Sequence, residues 1–417
     1  MKQYDTYKDS GVQWLGEIPG HWEKKRLAAL FTGDVDSNKD FRFKHAFKFN
    51  YGSLVLKDEI GDPEEYRDIY VKYSIVNKGD ILINGLNLNY DFISQRVACA
   101  PSDGIITSAY VVCRPRTSVN YDYYTYLFKS MDCMKLFHGM GTGIRLTLSF
   151  KELKRQLLPV PPLSEQRSIV SYLDDKCGKI DEWVTKKQKE VEHLQELKQR
   201  VIADAVTRGL NPHVKMKATN IPWLKEIPEH WEMSKISSHF RQRNEKVSDK
   251  DYPALSVSKQ GVTPQLDNVA LSNAEGTSRK LVKVGDYAVN SRSDRKGSCG
   301  VSKYEGSVSL ITIVLEPFNI NGEYVHYLFR SNPWVEEFYR NGRGIVADLW
   351  TTNYQMMKSM YMPVPPIEEQ KQIVSYLDAK TFKIDKLIAH ITKEIECIKE
   401  YKQRLISDVV TGQIKVC

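Results

Sequence analysis

Residues 159–174 read PVPPLSEQRSIVSYLD, and residues 363–378 read PVPPIEEQKQIVSYLD. The two stretches lie 204 residues apart in a chain of 417 residues. Each runs from a proline pair into apolar residues spaced by three and four positions, which is typical of an amphipathic helix. A match of this length at such a distance predicts two copies of one large unit, and not an array of short repeats.

Further matches surround this one in the same order along the chain. Residues 14–22 read WLGEIPGHW, and residues 223–231 read WLKEIPEHW. Between these ends the copies diverge and share a GD-x-x-x-N motif, at residues 79–84 and 285–290, and two smaller matches, at residues 126–130 and 327–331 and at residues 141–144 and 342–345. The chain therefore has two similar frames, each around a different middle.

The stretches after the proline pairs predict two long helices. Their apolar residues form a heptad seam, with Leu173, Cys177, Ile180, Val184, Val191, Leu194, Val201 and Ala205 in the first copy and Leu377, Ile384, Ile388, Ile391, Ile395, Ile398, Leu405 and Val409 in the second. Each helix should run about 44 residues, or about 65 Å. Gly209 and Gly412 stand where such helices end. We expect the two seams to pack on each other; the alternative is that each helix packs on its own globular domain.

The middles predict mixed domains of strands and helices. Short apolar and β-branched runs broken by turn residues are typical of strands, as at Asp80–Ile83, Ala109–Cys113, Tyr287–Val289 and Leu310–Leu315. Helical patches follow at Tyr123–Lys135 and Tyr324–Tyr339. Large aromatic residues are usually buried, so we expect a core role for the repeated tryptophans, with partner binding as the alternative: Trp14, Trp22, Trp223 and Trp231.

The distribution of charge favours a polyanionic partner. The net charge is +8, although residues 164–208 hold nine basic and nine acidic side chains and residues 368–411 hold eight of each. The whole basic excess therefore lies outside the predicted helices, which suits a nucleic acid. On charge alone, an aid to solubility explains it equally well.

Composition excludes several classes of protein. No stretch approaches the roughly 18 apolar residues of a membrane span, and the polar start lacks the apolar run of a signal peptide, so we expect a cytoplasmic protein with no membrane partner. The seven cysteines are scattered without a CxxC pair, which indicates neither a zinc site nor a disulfide framework.

The sequence resembles the specificity subunits of type I restriction-modification enzymes. The resemblance is carried by the paired tryptophan segments, the PVPP-x-x-EQ-x-x-IV-x-YLD openings, the long helices and the GD-x-x-x-N cores. The resemblance covers essentially the full length. It implies an α+β (mixed) fold with two α/β target-recognition domains joined by two long antiparallel coiled-coil-like helices, related by a pseudo-twofold internal repeat. Residues 1–158 are expected to form target-recognition domain 1, with a Trp segment at 10–27, and residues 159–210 helical region 1. Residues 211–362 are expected to form target-recognition domain 2, with a Trp segment at 219–236, and residues 363–417 helical region 2.

The resemblance also implies partners and a division of labour. Each recognition domain reads one half of a bipartite site in double-stranded DNA, while the helices fix the unread gap. It implies two methyltransferase subunits, and two motor-nuclease subunits in the full complex. No cofactor is expected on this chain, because S-adenosylmethionine (AdoMet) belongs to the methyltransferase partner.

Motifs for catalysis are weak in this sequence. Phe137–Gly141 reads FHGMG, like a methyltransferase AdoMet loop, but it follows a helical stretch and no NPP[YF] tetrad is present. Asp174–Lys176 and Glu196–Lys198 imitate nuclease motifs, yet both lie on the predicted helix. We therefore expect a non-catalytic subunit. The alternatives are a stand-alone DNA methyltransferase or nuclease, and a coiled-coil scaffold without a DNA role.

Candidate DNA-binding residues lie in loops of the middles, chiefly after each GD-x-x-x-N strand. Amide and guanidinium groups are the side chains that pair with adenine and guanine edges, although most contacts to DNA go to phosphate and sugar. The candidates of the first middle are Asn50, Asn84, Asn87, Asn89, Gln95, Arg96, Thr142 and Arg145. Those of the second are Lys259, Gln260, Ser291, Arg292, Ser293, Arg295, Lys296 and Arg343.

Overall fold

The computed structural model describes residues 2–50, 52–58, 62–92, 95–116, 119–143, 146–265, 279–344 and 350–416. The chain divides into two compact units, which we call unit 1 (residues 1–187 and 393–417) and unit 2 (residues 188–392). Each unit contains one middle and about half of each long helix. This division differs from the four segments expected from the sequence, which separate the helices from the middles.

Unit 1 begins with a run of short strands. Its strands are β1 (Tyr7–Asp9), β2 (Glu17–Pro19), β3 (Glu23–Arg26), β4 (Phe31–Thr32), β5 (Phe47–Asn50), β6 (Ser53–Leu56), β7 (Ser74–Val76), β8 (Ile81–Ile83), β9 (Val97–Cys99), β10 (Gly104–Ile106), β11 (Val111–Pro115) and β12 (Leu157–Val160). Its helices are α1 (Leu27–Leu30), α2 (Arg67–Tyr70), α3 (Tyr121–Cys133), α4 (Phe150–Leu153) and α5 (Leu163–Arg208), the last of which continues into unit 2.

Unit 2 repeats this succession. Its strands are β13 (Met216–Ile221), β14 (Leu224–Pro228), β15 (Glu232–Lys235), β16 (Phe240–Arg243), β17 (Lys246–Val247), β18 (Leu255–Ser258), β19 (Gly261–Pro264), β20 (Arg279–Val282), β21 (Tyr287–Asn290), β22 (Cys299–Val301), β23 (Gly306–Ser309), β24 (Thr312–Pro317) and β25 (Tyr361–Val364). Its helices are α6 (Gly322–Arg330), α7 (Asn332–Arg340), α8 (Tyr354–Met357) and α9 (Ile367–Val410), the last of which continues into unit 1.

Both units build the same central sheet and the same bracketing ribbon, whereas the β7–β10 pair of unit 1 corresponds to a three-stranded sheet, β17-β20-β23, in unit 2. The central sheet is antiparallel, in the order β4-β11-β8-β9 in unit 1 and β16-β24-β21-β22 in unit 2. A ribbon of β3 with β12, or of β15 with β25, brackets each middle. Even the isolated parallel bridge between Ala46 and Ile105 recurs between Ala254 and Ser307. The predicted mixed fold with an internal repeat is confirmed.

The long helices match their sequence pattern closely. Helix α5 has 46 residues and α9 has 44. Gly209 and Gly412 follow them with φ angles of +75° and +79°, a conformation that favours glycine at a helix end. The first half of α5 lies with the second half of α9 in unit 1, and the other two halves lie together in unit 2, so the helices are antiparallel.

One predicted helix is interrupted. The patch expected at Tyr324–Tyr339 forms two helices, α6 and α7. Ser331 between them has φ −67° and ψ 140°, which is extended backbone. Pro333 follows at the second position of α7, where its missing N–H costs nothing, and its ring cannot continue the preceding helix.

Each apolar core unites one middle with both long helices. In unit 1 the core contains Leu173 of α5 and Val409 of α9 together with Trp22. In unit 2 it contains Val206 of α5, Leu377 of α9 and Trp231. The rings of Trp22 and Trp231 are fully buried, as expected, whereas Trp14 and Trp223 are partly buried. The two expectations for the seams therefore hold together, since the helices share a core that also includes the globular domain.

The Glu-Gln pair at the start of each long helix joins three segments. Glu165 accepts from His21 at 2.8 Å, and its counterpart Glu369 makes the same contact with His230 at 2.8 Å. These contacts tie each tryptophan segment to its helix. The side-chain oxygens of the following glutamines accept from the backbone N–H groups of the N-cap residues of α3 and α6. Asn120 donates to Gln166 at 3.1 Å, and Asn321 donates to Gln370 at 2.9 Å.

Candidate DNA-recognition surface

A buried aspartate fixes the start of the core strand in each unit. Asp80 precedes β8 and accepts from Arg114 of β11 at 2.9 Å. Asp286 precedes β21 and accepts from Arg243 of β16 at 2.6 Å. Both carboxylates also accept a backbone N–H three residues earlier in the chain, at 2.8 and 2.9 Å. The GD-x-x-x-N motif thus has a structural role, although each unit takes its arginine from a different strand.

The loop after each core strand lies against a hairpin that begins at a repeated Gly-x-Gly sequence, residues 141–143 in unit 1 and 342–344 in unit 2. In unit 1, Leu148 donates its backbone N–H to Gly85 at 2.9 Å, and in unit 2, Thr352 donates to Ser291 at 3.1 Å. A side chain at Gly85 would place its Cβ 2.5 Å from the Leu148 carbonyl oxygen, so the approach requires glycine there. The same strand, loop and hairpin therefore form in both units.

Three exposed guanidinium groups belong to this surface in unit 2. The backbones of Arg292 and Arg343 both pair with Thr351, which brings two regions 51 residues apart in the sequence to one edge. Both side chains are exposed, and that of Arg295 is 60% exposed. Thr351 was not predicted, although the repeated Gly-x-Gly match beside it indicated a shared element.

Two other predicted residues of this loop are buried or paired with another side chain of the protein. Ser291 is 5% exposed, so it does not belong to a surface that reaches DNA. Lys296 is exposed, but its ammonium group donates to Glu336 at 2.8 Å and lies 5.8 Å from the centre of the Tyr339 ring. The side chain of Ser293 lies outside the described part of the chain.

The turn between β18 and β19 lies near the same sheet. Lys259 and Gln260 are exposed at its tip, as a DNA contact requires. The backbone carbonyl of Lys259 accepts from the Arg330 guanidinium, which anchors the turn to α6. A Cβ at Gly300 of β22 would lie 2.9 Å from Gly261, so the turn packs directly on the central sheet.

Arg96 is the clearest correction in unit 1. Its side chain is 0% exposed, and its guanidinium donates to the carbonyl oxygens of Asn84, Leu86, Asn87 and Asp91 at 2.6–3.4 Å. A guanidinium with these partners cannot reach a phosphate or a base. Its backbone N–H donates at 2.7 Å to Asp132, and burial raises the pKa of that carboxyl group. Arg96 therefore organises the loop from beneath.

Four other predicted residues of unit 1 are exposed: Asn50, Asn87, Gln95 and Thr142. Gln95 lies against the hairpin turn that Asn50 begins, because a Cβ at Gly52 would be 2.4 Å from its Oε1 atom. Asn84 and Asn89 are half-buried. Asn84 accepts from the backbone of Leu86 at 3.1 Å and so shapes the loop. Arg145 lies outside the described residues.

The two surfaces differ in chemistry although their scaffolds agree. Unit 1 presents amides, which pair with adenine edges through one donor and one acceptor. Unit 2 presents guanidinium groups, which suit guanine edges and phosphates. Which atoms of DNA each side chain meets stays a prediction.

Comparisons with known proteins agree with this arrangement. Residues 19–193 match the family model described as the type I restriction modification DNA specificity domain. The chain is 24% identical over 432 residues to the putative type I restriction enzyme MjaX specificity subunit of Methanocaldococcus jannaschii, with 96% of each chain covered. Residues 19–193 thus match a type I DNA specificity domain, and the chain over nearly its whole length is similar to type I restriction enzyme specificity subunits.

Two further comparisons give the same likeness. The chain is 25% identical to the type I restriction enzyme MjaVIII specificity subunit of the same organism, over 87% of this chain and 84% of that protein. A chain solved in work on complex assembly and conformational transition of the type I R-M system aligns with a TM-score of 0.70 over 95% of this chain and 99% of its own. The sequence identity of 13% means that this last likeness concerns the fold alone.

The described residues contain neither a candidate membrane span nor a candidate metal site. No helix there combines the length and the apolar character that crossing a bilayer requires. Nor does any group of three or more His, Cys, Asp or Glu side chains in those residues have a metal-binding arrangement.

Proposed function

We propose that this chain is the specificity subunit of a type I restriction-modification enzyme and reads a bipartite site in double-stranded DNA, one half with each unit. The observation that carries the proposal is the strand, loop and hairpin that both units share. It presents amides such as Asn87 in unit 1 and guanidinium groups such as Arg292 in unit 2. Unlike side chains on like scaffolds are expected to read unlike half-sites.

The helix pair is proposed to set the unread gap between the half-sites. Helices of 46 and 44 residues extend about 65 Å at 1.5 Å per residue. Paired apolar seams resist sliding, because a shift of register exposes apolar residues on both helices. A fixed separation between two readers admits one spacing of half-sites, as in dimeric DNA-binding proteins.

The exposed faces of the helices are proposed to dock methyltransferase subunits. Lys176 lies 5.7 Å from the centre of the Tyr172 ring, and Lys380 lies 5.7 Å from that of Tyr376, its counterpart in the second copy. Because this surface arrangement recurs while the middles diverge, it suits two copies of one partner. AdoMet would be held by that partner, and motor-nuclease subunits would complete the assembly for DNA cleavage.

The chain itself is proposed to be non-catalytic. The residues that imitate catalytic motifs have structural roles: Asp174 accepts from Tyr126 at 2.7 Å, and Asp175 pairs with Lys179 at 2.6 Å. Phe137 is fully buried in a 3-10 turn that follows helix α3. An AdoMet loop follows a strand instead. These placements support a recognition subunit over a stand-alone methyltransferase.

Coexpression with a methyltransferase subunit from the same host tests the proposal. Sequencing the methylated DNA should give one bipartite motif with a fixed gap. The purified chain alone, incubated with AdoMet and the same DNA, should transfer no methyl group, and transfer without a partner would contradict the proposal. A scaffold without a DNA role predicts no salt-sensitive binding to duplex, whereas a reader loses affinity steeply as salt rises.

A domain exchange tests the assignment of one half-site to each unit. Residues 24–158 begin and end in the β3–β12 ribbon, so replacing them with the same segment of another family member leaves the helices intact. We expect the first half of the methylated motif to change while the second half and the gap stay constant. A change in both halves would show that the units do not read independently. The matched control exchanges the corresponding segment of unit 2, bounded by the β15–β25 ribbon.

A further inference from the structure

Tyr90 is the most exposed of the large hydrophobic side chains in the described chain, at 81%. It lies in the loop after β8, which holds the candidate amides of unit 1. Leu88, two residues earlier, is 1% exposed and belongs to the core of unit 1. The loop therefore anchors one side chain in the protein and presents the aromatic ring to solvent.

The backbone under Tyr90 is held in one conformation. Of the four carbonyl oxygens that accept from the buried Arg96, those of Asn87 and Asp91 flank Tyr90 in the chain, at 3.4 and 2.6 Å. Asn87 has a φ angle of +53° and accepts the backbone N–H of Tyr90 at 3.2 Å, which closes a tight turn. Hydrogen bonds to a charged donor in a buried setting are among the stronger ones in proteins.

A second set of contacts fixes the far side of the loop. His138 contacts the Asp91 carbonyl oxygen at 3.0 Å, and its ring stacks on Phe92 at 4.6 Å with an angle of 17°. The hairpin also supports the loop, because a Cβ at Gly141 would lie 2.9 Å from Leu88. Arg96 and His138 therefore hold the backbone on both sides of Tyr90, whose ring lies in solvent.

An exposed aromatic residue alone is ordinary. Tyr90 differs because hydrogen bonds hold the backbone of residues 87–91 and because its neighbours are the predicted base-reading amides. Because the backbone on both sides of Tyr90 is already held by hydrogen bonds, insertion of the ring does not have to order the loop backbone, which favours binding. Aromatic and aliphatic side chains inserted between base pairs unstack a step and kink the duplex.

We propose that Tyr90 is an aromatic wedge, which inserts at one base step of the half-site that unit 1 reads. The proposal rests on the proposed function, since it takes the surface around Asn87 as a DNA surface. Insertion makes recognition depend on how easily that step unstacks, and pyrimidine–purine steps unstack most readily. Unit 1 then selects sequence through deformability in addition to its amides.

The corresponding loop of unit 2 carries no such ring. Residues 290–296 read NSRSDRK after the core strand, with Lys296 at the position of Tyr90 when both loops are counted from the asparagine of the GD-x-x-x-N motif. The wedge is therefore confined to one half-site, and the second half-site should be bound without unstacking. This asymmetry gives the test an internal reference.

The test uses the complete complex of this chain with its methyltransferase partner. Duplexes carry the methylation-mapped site with 2-aminopurine placed singly along the first half-site, outside the methylated adenine, because 2-aminopurine fluoresces when it unstacks. The wild type should raise fluorescence at one step. Tyr90→Ala should abolish the rise and weaken binding about tenfold. Tyr90→Phe should keep both the rise and the affinity, since the ring remains.

Two controls separate the wedge from the fold and from the function. Ile69→Ala removes another exposed side chain of unit 1, 51% exposed on α2, and should change neither signal nor affinity. Tyr90→Ala should melt at the wild-type temperature. If Tyr90→Ala binds as tightly as the wild type, or the wild type binds its site without a fluorescence rise, the wedge is wrong while the proposed function stands. If the wild-type complex shows no sequence-specific binding, both are wrong.

Discussion

Lys402 of α9 donates to both carboxylate oxygens of Asp181 in α5, at 2.6 and 2.7 Å. Inside unit 2, Lys198 donates to both oxygens of Asp385 at 2.7 Å. Lys402 is the repeat counterpart of Lys198, and Asp385 is that of Asp181, each 204 residues later. The same contact is therefore made once inside each unit, with the roles of the two helices exchanged.

Reversing the charge of one member of this pair should weaken unit 1 slightly. The side chains of Lys402 and Asp181 are 25% and 63% exposed, so water screens the pair. We expect Lys402→Asp to lower the free energy of unfolding by about 0.5–1 kcal/mol and the double exchange Asp181→Lys with Lys402→Asp to restore it. Urea unfolding measures both, with Lys189→Asp as a control on the exposed face of α5. Failure of the double exchange to restore stability would deny the pair a role in register.

His326 of α6 should make unit 2 sensitive to acid. Burial, and then the nearby positive charge of Arg330, lowers the pKa of His326 to about 4 from an ordinary 6.5. The Arg330 guanidinium lies 3.2 Å from its Nε2 atom, an arrangement that suits a neutral ring. Between pH 4 and 6.5 the unfolded chain binds a proton that the folded chain refuses. Stability from this residue is therefore complete above pH 6.5 and declines toward pH 4, by about 1–3 kcal/mol.

The measurement is urea unfolding of the wild type and of His326→Gln at several pH values. Glutamine cannot titrate, yet its amide oxygen can accept from Arg330. The stability difference between wild type and variant should shift in favour of the variant as the pH falls below 6.5. Parallel profiles for the two proteins would mean that the pKa of His326 is the same in the folded and the unfolded chain.

The long helices could be predicted from sequence because their signal is local. Apolar spacing, the proline pairs and Gly209 lie within the segment that they describe, and both helices end where expected. The internal repeat added a second copy of each signal. Pro333 also indicates a helix end in the sequence, although the helical patch predicted at Tyr324–Tyr339 extends past it.

The candidate site was less predictable because burial depends on the tertiary fold. Arg96 and Arg292 look alike in sequence, as guanidinium groups near a core strand. In the structure Arg96 is 0% exposed and its guanidinium donates to carbonyl oxygens, whereas Arg292 is exposed. Nor could sequence place Thr351 beside both Arg292 and Arg343, since that contact joins distant segments.

Arg292→Ala should relax base choice at one position of the second half-site. Its exposed guanidinium lies at the edge shared with Arg343, where two donors can address one base pair. We expect a loss of roughly 1–3 kcal/mol confined to one position of the motif. Binding to a library of site variants by the complete complex measures it. A loss of affinity that is uniform over all DNA sequences would instead assign Arg292 to a phosphate. In that case the slope of log affinity against log salt concentration should also become smaller by about one.

Lys296→Ala is the matched variant for that loop. The Lys296 ammonium group already pairs with Glu336 at 2.8 Å and is therefore less free to meet DNA. We expect less than half of the Arg292→Ala effect, without a change in base preference. A larger effect would show that the pair with Glu336 opens on binding.

Phe382 should make one methyltransferase docking face stronger than the other. Its ring is 69% exposed on α9, whereas its counterpart in the first copy is Gly178 of α5. An exposed ring on α9 without a counterpart on α5 adds apolar area to one face only. Titration of methyltransferase into wild type should therefore resolve two affinities, and Phe382→Gly should weaken the tighter one about tenfold. Equal affinities in the wild type would remove Phe382 from the docking face.

Lengthening both helices by one heptad should lengthen the unread gap. Duplicating residues 183–189 and residues 387–393 adds seven residues at repeat-related places, midway between the Asp181–Lys402 and Lys198–Asp385 pairs. Seven residues complete two turns of a coiled coil, so the seams stay in phase. The added length is about 10 Å, which corresponds to about three base pairs at 3.4 Å per step. We expect methylation mapping to show unchanged half-sites separated by about three more base pairs, with weaker binding because the DNA must twist to present both halves. Extending only one helix leaves the Lys402–Asp181 and Lys198–Asp385 registers incompatible, so that control should lose specific methylation altogether. A protein with both insertions that folds and methylates the original spacing would refute the helix pair as the ruler of the gap.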